Sequence, residues 1–166
     1  MSPSSAPRLI NHNHNHNQEG HTIYAFTVEK TLEAPLEQVW AVVADFGNLD
    51  WFDGAERVEQ VGEGVGQVRR VFMPGAEQPV EEKLLALDSD RHSIEYEVLE
   101  GAVNVMQGYR VVASLEDAGE GKTRARWEAG FTGITIEGLE PETMIAAMTD
   151  MYGGMLDAIA AEANTR

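Results

Sequence analysis

The chain has 166 residues, a length that suits one domain with a substantial hydrophobic core. Its formal charge of −16, from 28 acidic and 12 basic residues, argues against binding to nucleic acids or anionic membrane surfaces, whose phosphates would repel it. The absence of cysteine excludes disulfides, thiolate chemistry and cysteine-bound metals. No segment approaches the run of about 20 apolar residues that a membrane-spanning helix needs. The N-terminus shows no basic stretch followed by an apolar one, so we expect a cytoplasmic protein without membrane insertion.

The first 20 residues differ in composition from the rest. His12, His14 and His16 alternate with asparagine, so in an extended chain their imidazoles would share one face and could bind a transition metal. No rigidly held further ligands are evident nearby, which favours a disordered tail or an expression tag. We therefore predict such a tail over residues 1–20, a single domain over residues 21–166, and no metal site.

Regular hydrophobic periodicity begins after the tail. Alternating apolar residues predict a first strand over residues 24–32. Pro35 suits the first turn of a helix, and apolar residues at helical spacing continue to Phe46, with Gly47 as a plausible C-terminal cap. Residues 48–52 are interpreted as a second short helix or a turn.

Six further strand candidates follow at short intervals. They cover residues 55–61, 67–73, 80–87, 93–99, 103–115 and 122–131. Glycine, proline or aspartate separates most of them, as in antiparallel hairpins. Strands and helices do not alternate, so a parallel sheet is not expected. The glycines at positions 62, 64 and 66 precede a strand rather than a helix, which indicates a hairpin loop and not a dinucleotide-binding loop.

One long helix is predicted over residues 141–163. Four methionines recur at spacings of four, three and four along one face of it: Met144, Met148, Met151 and Met155. Methionine fills irregular space, so this face suits ordinary core packing or the wall of a cavity with variable contents. Gly153 and Gly154 each cost about 1 kcal/mol relative to alanine within a helix. Such a pair indicates a kink or a close approach, so we interpret the helix as a lid over a pocket. We expect Trp40, Trp127, Met148 and Met155 to be buried.

The order of elements and a series of short motifs point to a known family. The motifs are Ala34-Pro35, Val39-Trp40, Ala44-Asp45-Phe46, Asn48-Leu49, Trp51-Phe52, the glycine loop before Val68-Arg69, Glu82-Lys83-Leu84-Leu85 and Ile94-Glu95-Tyr96-Glu97-Val98. Over about residues 22–162 the chain resembles the START/Bet v 1-like superfamily, also called SRPBCC or polyketide cyclase/dehydrase-like. The resemblance implies an α+β helix-grip fold. In it a curved seven-stranded antiparallel sheet surrounds the long C-terminal helix, two short helices follow the first strand, and a cavity lies inside.

Within this superfamily the chain is most similar to the lachrymatory factor synthase-like branch, whose chemistry is an isomerisation by proton transfer. That branch uses an arginine, a glutamate and a tyrosine. The resemblance places the arginine at Arg69 in the motif Gly-Gln-Val-Arg, the glutamate at Glu82 in Glu-Lys-Leu-Leu, and the tyrosine at Tyr109. No residue indicates the substrate of that branch, so the substrate does not carry over.

Strand alternation gives partial support for these positions. Tyr109 and Trp127 lie on the apolar side of their strands and are expected to face inward. The alternation is ambiguous around Glu82, because both sides of its strand carry apolar residues. It does not distinguish Arg69 from Arg70 either, and only the resemblance selects Arg69.

These observations suggest a cofactor-independent lyase, isomerase or cyclase that acts on a small hydrophobic or polyketide-like substrate. Glu82 would act as base and acid, while Arg69 and Tyr109 would stabilise a negatively charged oxygen. Substrate contacts are expected from eight further side chains: Trp51, Phe52, Tyr96, Trp127, Met148, Met151, Tyr152 and Met155.

Two other interpretations remain open. The cavity could hold a lipid or aromatic ligand without turnover, as in a carrier or sensor. The arginine and glutamate could instead form a structural pair on the sheet surface beside a core tyrosine. A buried, convergent Arg–Glu–Tyr cluster would favour the enzyme, and an all-apolar cavity the carrier. We expect a small hydrophobic molecule as the partner, no cofactor, and a monomer or homodimer.

Overall fold

The computed structural model describes residues 7–16, 22–101 and 104–166, and for residues 8–16 it describes the backbone alone. Over these residues the chain forms ten strands and two helices. In chain order they are β1 (Arg8–His16), β2 (Thr22–Leu32), α1 (Leu36–Ala44), β3 (Arg57–Val61), β4 (Val68–Phe72), β5 (Val80–Asp88), β6 (Ser93–Val98), β7 (Met106–Gln107), β8 (Arg110–Gly119), β9 (Lys122–Phe131), β10 (Gly133–Ile134) and α2 (Pro141–Ala163).

Eight strands form one sheet in the order β1-β2-β9-β8-β6-β5-β4-β3, and each neighbouring pair is antiparallel. Buried and exposed residues alternate along β8 and β9, as expected for strands with one face against a core. Helix α2 packs against β2 and α1. The seven strands from β2 onward, together with α2, confirm the predicted helix-grip fold.

The core lies between the inner face of the sheet and the two helices. Its largest fully buried side chains come from both layers: Phe26, Phe46, Phe131, Leu32, Leu84, Ile145, Leu156 and Ile159. One charged contact also joins the layers, because the buried ammonium of Lys30 on β2 lies 2.6 Å from a carboxylate oxygen of Asp157 on α2.

Helix α1 ends where the backbone of Asp45 leaves the helical region, at φ −80° and ψ 67°. Two turns follow, in which the Asn48 N–H donates to the Asp45 carbonyl and the Phe52 N–H donates to the Leu49 carbonyl. The second short helix expected after the first strand is therefore absent from the described residues. Isolated turns occupy its place, and they direct Trp51 and Phe52 toward the interior of the molecule.

Helix α2 has the predicted bounds, with Pro141 in its first turn. It runs without interruption through the glycine pair. A Cβ on Gly153 would lie 2.6 Å from Cγ of Pro7, so the close approach expected of this pair is made by the N-terminal segment. Met148 and Met155 are half-buried rather than buried as predicted, because they border open space inside the molecule.

Strand β1 differs from the expectation of a disordered tail. Its backbone pairs antiparallel with β2, from Arg8 opposite Glu29 to His16 opposite Thr22. Without β1 the N–H and C=O groups along this side of β2 would be unpaired, and such an edge readily accepts another strand. The metal-binding role considered for His12, His14 and His16 concerns side chains outside the described part of the structure.

The segment predicted as one strand over residues 103–115 is divided in two. Gly108 adopts φ +64°, which favours glycine, and turns the chain between β7 and β8. β7 then pairs with β10 in a small separate sheet. The glycine loop between β3 and β4 joins antiparallel neighbours, which confirms the predicted hairpin.

Candidate functional site

A cavity of about 410 Å³ lies between the sheet, the turns after α1, and α2. Its volume falls within the range typical of small-molecule sites. All eleven side chains predicted for the site line it. Fourteen others line it that were not predicted as site residues, although Met144 lies on the methionine face interpreted as a possible cavity wall: Val42, Val43, Asp45, Leu49, Val71, Met73, Val80, Ile94, Val98, Asn104, Val105, Met106, Met144 and Ile159.

Strand pairing explains why the three predicted catalytic residues converge. Arg69 on β4 lies directly opposite Glu82 on β5, and Glu82 lies opposite Val98 on β6. The backbone N–H of Val98 donates to the carbonyl of Tyr109, just before β8. Directly opposed residues point to the same side of a sheet, so this row delivers all three side chains to the cavity.

Arg69 and Glu82 form an ion pair inside the cavity, with Nε of Arg69 2.8 Å from Oε1 of Glu82. Their side chains are 10% and 16% exposed. Nη1 of Arg69 donates to the carbonyl of Phe46 at 3.1 Å. The guanidinium also lies over the ring of Phe46, 3.9 Å from its centroid, and 5.0 Å from the ring centroid of Tyr96. These contacts hold the arginine in one orientation while several of its N–H groups stay available.

Three phenols surround this ion pair. The hydroxyls of Tyr109 and Tyr152 are hydrogen-bonded to each other. Burial, together with the negative charge of Glu82, raises the pKa of Tyr96 to about 12. Burial and the neighbouring phenols also hold the pKa values of Tyr109 and Tyr152 well above the ordinary tyrosine value. All three are therefore neutral near pH 7 and can donate hydrogen bonds. Tyr152, predicted as a wall residue, belongs to this polar cluster.

Two further donors lie in the cavity wall. The indole Nε1 of Trp127 and the amide Nδ2 of Asn104 are buried and make no hydrogen bond of standard geometry within the described chain. Nothing in the sequence singles out Asn104, because it falls in a segment whose pattern predicts a continuous strand. Asp45, at the end of α1, also lines the cavity, and the sequence marks it only as part of a family motif.

The described residues form neither a metal-binding cluster nor a membrane-spanning helix. In the described ranges, no three His, Asp or Glu side chains come together as a metal site would require. Neither described helix combines the length and the apolar composition needed to cross a lipid bilayer.

The sequence matches the family described as "Polyketide cyclase / dehydrase and lipid transport" over residues 24–164. The chain belongs to this family. Its fold is also similar to that in the crystal structure of Ara h 8.0201, with a TM-score of 0.70 and 18% sequence identity, over 87% of this chain and 99% of the other. No curated protein is similar enough in sequence to count as a relative. Membership in the Bet v 1-like superfamily is thus confirmed, and the lachrymatory factor synthase-like branch stays a prediction.

Family, fold and cavity together make the chain a protein that binds small hydrophobic ligands. Most of the cavity wall is apolar, and four methionines of α2 form one side of it. The Arg69–Glu82 ion pair and the three phenols lie together on one part of the wall. A bound ligand would therefore meet both apolar packing and a polar cluster with a fixed orientation.

Proposed function

We propose that this protein is a cofactor-independent lyase, isomerase or cyclase that moves a proton on a small hydrophobic or polyketide-like substrate. The observation that carries the proposal is the Arg69–Glu82 ion pair inside an apolar cavity. Replacing a buried ion pair by apolar residues is often neutral or stabilising, so stability alone does not explain why the pair is there. A carboxylate beside donors of hydrogen bonds is what an enolisation requires.

The reaction would begin with a carbonyl compound whose oxygen lies near Arg69 and the phenols. A carboxylate oxygen of Glu82 would take a proton from the carbon next to the carbonyl, and the C–H electron pair would move onto the oxygen. The free N–H groups of Arg69 and the neutral phenols would donate to the resulting enolate oxygen. Glu82 would then return the proton to another carbon or to a leaving hydroxyl, which gives isomerisation or dehydration.

The three phenols support this mechanism because their pKa values are raised. A tyrosine that stays protonated can donate to an oxygen as negative charge develops there. Tyr109 is held by Tyr152, and Tyr96 lies beside the ion pair, so their positions are fixed before a ligand arrives. Such preorganised donors stabilise a transition state without further rearrangement.

A second candidate function is that of a carrier or sensor for a lipid or aromatic molecule. The methionines of α2 favour it, because flexible thioether side chains adapt to ligands of different shape. The description of the family also includes lipid transport. In that case the ion pair would orient the ligand without any exchange of protons.

Exchange of protons in D₂O distinguishes the two functions. Small aryl ketones such as 1-indanone and 1-tetralone would be screened for binding, and the loss of their α-proton signals would be followed by NMR. We expect the protein to accelerate exchange of the α-protons of a bound ketone. Glu82→Gln should lower the accelerated exchange rate by about 10²–10⁴-fold. The dissociation constants should change little, because the amide keeps the shape of the carboxylate.

Glu81→Gln is the matched control. Glu81 is the neighbouring residue on the outer face of the sheet, where it pairs with Arg70, and its replacement should leave the exchange rate unchanged. Ketones that bind to the unmodified protein but exchange no faster than with Glu82→Gln would identify a carrier.

A further inference from the structure

The glycine hairpin (residues 60–67, which end β3 and lead into β4) contacts the turn after α1 through the side chain of Gln60. A Cβ built on Gly47 would overlap the carboxamide of Gln60 and lie 2.5 Å from its Cδ. The carboxamide therefore packs directly against the backbone of Gly47. Any other residue at position 47 would occupy the space in which the carboxamide lies.

This contact reaches Arg69 through one peptide group. The carbonyl of Phe46 and the Cα of Gly47 belong to the same planar unit, so a contact that restrains one also restrains the other. The Phe46 carbonyl accepts from Nη1 of Arg69 at 3.1 Å, and the guanidinium lies 3.9 Å from the centroid of the Phe46 ring. Gln60 therefore supports the backbone group that orients the guanidinium.

The strand register places Gln60 beside the ion pair. Gln60 on β3 lies directly opposite Arg69 on β4, and Arg69 lies opposite Glu82 on β5. Directly opposed residues point to the same side of a sheet, so these three side chains form a row on the inner face. Arg69 is held from one side by Glu82, at 2.8 Å, and from another by the peptide group against which Gln60 packs.

The hairpin also fixes the carboxamide of Gln60. Its Nε2 donates to the Gly62 carbonyl at 3.1 Å and to Oε1 of Gln67 at 3.1 Å. The side chain of Gln67 is anchored in turn, because the residue is only 8% exposed and its Nε2 donates to the Gly64 carbonyl at 3.0 Å. Gly62 and Gly64 adopt φ values of +82° and +65°, a region that favours glycine. The glycine loop thus directs two of its carbonyls at the two glutamine amides.

We propose that Gln60 is a positioning residue, through which the glycine hairpin sets the orientation of the Arg69 guanidinium. The inference rests on the proposed function, in which Arg69 donates to the oxygen that gains negative charge. Such a donor must point at that oxygen, and a misplacement of about 1 Å can cost about 10²-fold in rate. Gln60 is not among the residues that line the cavity, so it affects the reaction without contacting the ligand.

Two variants remove the support in different ways. Gln60→Ala deletes the carboxamide, and Gly47→Ala places a methyl group where the carboxamide lies. The φ of Gly47 lies outside the left-handed region, and the three atoms nearest to the added methyl all belong to the flexible side chain of Gln60, so the variant should fold. If Gly47→Ala acts by displacing Gln60, it should have no further effect once Gln60 is alanine. The double variant tests this directly.

The Nε–H resonance of Arg69 in ¹⁵N NMR spectra reports the orientation of the guanidinium without any turnover. Its shift depends on the nearby ring of Phe46, and its loss in Arg69→Lys assigns it. We expect the resonance to move in Gln60→Ala and in Gly47→Ala, and the double variant to resemble Gln60→Ala.

Glu59→Ala is the matched control for these spectra. Glu59 precedes Gln60 on β3, but its carboxylate contacts Arg70 on the outer face of the sheet. Its replacement should leave the Nε–H resonance of Arg69 in place.

The exchange of α-protons in D₂O measures the effect on the reaction, with a ketone that the unmodified protein binds and exchanges. At saturating ketone, the exchange rate should fall by about 10- to 100-fold in Gln60→Ala and in Gly47→Ala. The dissociation constant should change little, because Gln60 does not line the cavity. The double variant should lose no more than Gln60→Ala alone, and Glu59→Ala should exchange at the rate of the unmodified protein.

An Arg69 resonance that does not respond to Gln60→Ala would overturn the inference, and so would losses of the two variants that add in the double variant. A loss of ketone affinity large enough to explain the whole loss of rate would also contradict a positioning role. If the resonance moves as expected but no ketone exchanges faster with the unmodified protein, the positioning of Arg69 stands and the proposed enzyme fails. Fast exchange that survives both variants would support the enzyme and refute this inference.

Discussion

Two arginine–glutamate pairs lie side by side across β4 and β5. Arg69 pairs with Glu82 at 2.8 Å on the inner face, and the next residues in each strand, Arg70 and Glu81, pair at 3.6 Å on the outer face. The inner side chains are 10% and 16% exposed and the outer ones 35% and 43%. Residue type and strand register are the same in both pairs. A shift of one residue moves the same chemistry from water to an apolar cavity, where a charge interacts strongly and is costly to leave unpaired.

The stabilities of the two pairs should differ most clearly when one partner of each is removed. Glu82→Ala leaves Arg69 unpaired in the cavity, and breaking a buried pair typically costs about 3–5 kcal/mol of unfolding free energy. Glu81→Ala leaves a solvated arginine that also contacts Glu59, and should cost about 0–1 kcal/mol. Urea unfolding at pH 7 measures both values. Equal losses would mean that the two faces do not differ in polarity as described.

High pH should destabilise the protein because it favours ionisation of Tyr96, which is buried on the inner face of the sheet. The pKa of Tyr96 is raised to about 12 in the folded protein, so the unfolded chain, whose tyrosines ionise near pH 10, loses its proton first. The contribution of neutral Tyr96 to the free energy of unfolding is fully present below pH 10 and is lost as the pH rises from about 10 to 12. The loss from Tyr96 should reach about 2 kcal/mol. Unfolding experiments over this range with Tyr96→Phe as control measure it, and an equally steep fall in the variant would contradict the assignment.

Replacement of each arginine by lysine gives a smaller contrast. The guanidinium of Arg69 binds Glu82 through Nε and the Phe46 carbonyl through Nη1, and a lysine ammonium cannot reproduce this geometry. Arg69→Lys should therefore cost about 1–2 kcal/mol, whereas Arg70→Lys should stay within about 0.5 kcal/mol. Thermal unfolding of the two variants provides the measurement. A lysine tolerated equally at both positions would show that only the charge of Arg69 matters.

Salt should produce the smallest effect and should act on the outer pair alone. Exposed charges are screened by ions, and buried charges are screened much less. Double-mutant cycles for each pair at 0.05 M and 1 M NaCl would give the coupling energies. We expect the coupling of Arg70 with Glu81 to fall by a few tenths of a kcal/mol and that of Arg69 with Glu82 to stay constant. A salt-sensitive inner pair would place it in contact with bulk water.

Most of the helices and long strands could be predicted from hydrophobic periodicity, because long elements with one buried face repeat their pattern many times. Their helix-grip arrangement was implied by the resemblance to a family. The bounds of α2 and β9 agree with the prediction to the residue. The prediction was wrong where few residues decide the structure. A single glycine with positive φ separates β7 from β8, and turns of one hydrogen bond each replace the expected second helix.

The site was harder to predict because alternation is disturbed around it. Phe72 on the outer face of β4 is buried beneath Arg57 and Arg70, so both faces of this strand carry buried apolar residues. In β5 a bulge between Leu84 and Ala86 reverses the alternation, which made the orientation of Glu82 ambiguous. The resemblance to a family selected Arg69, and the structure places it in the cavity.

The position of β1 has a consequence for aggregation. An unpaired strand edge is a template on which further chains can add as in amyloid. The backbone of β1 covers the edge of β2, and the opposite edge of the sheet is β3, a strand of five residues that carries Arg57 and Glu59. Short, charged strands resist such addition. Removal of residues 1–16 would expose the eleven-residue strand β2 as a long edge at which fibril growth could start.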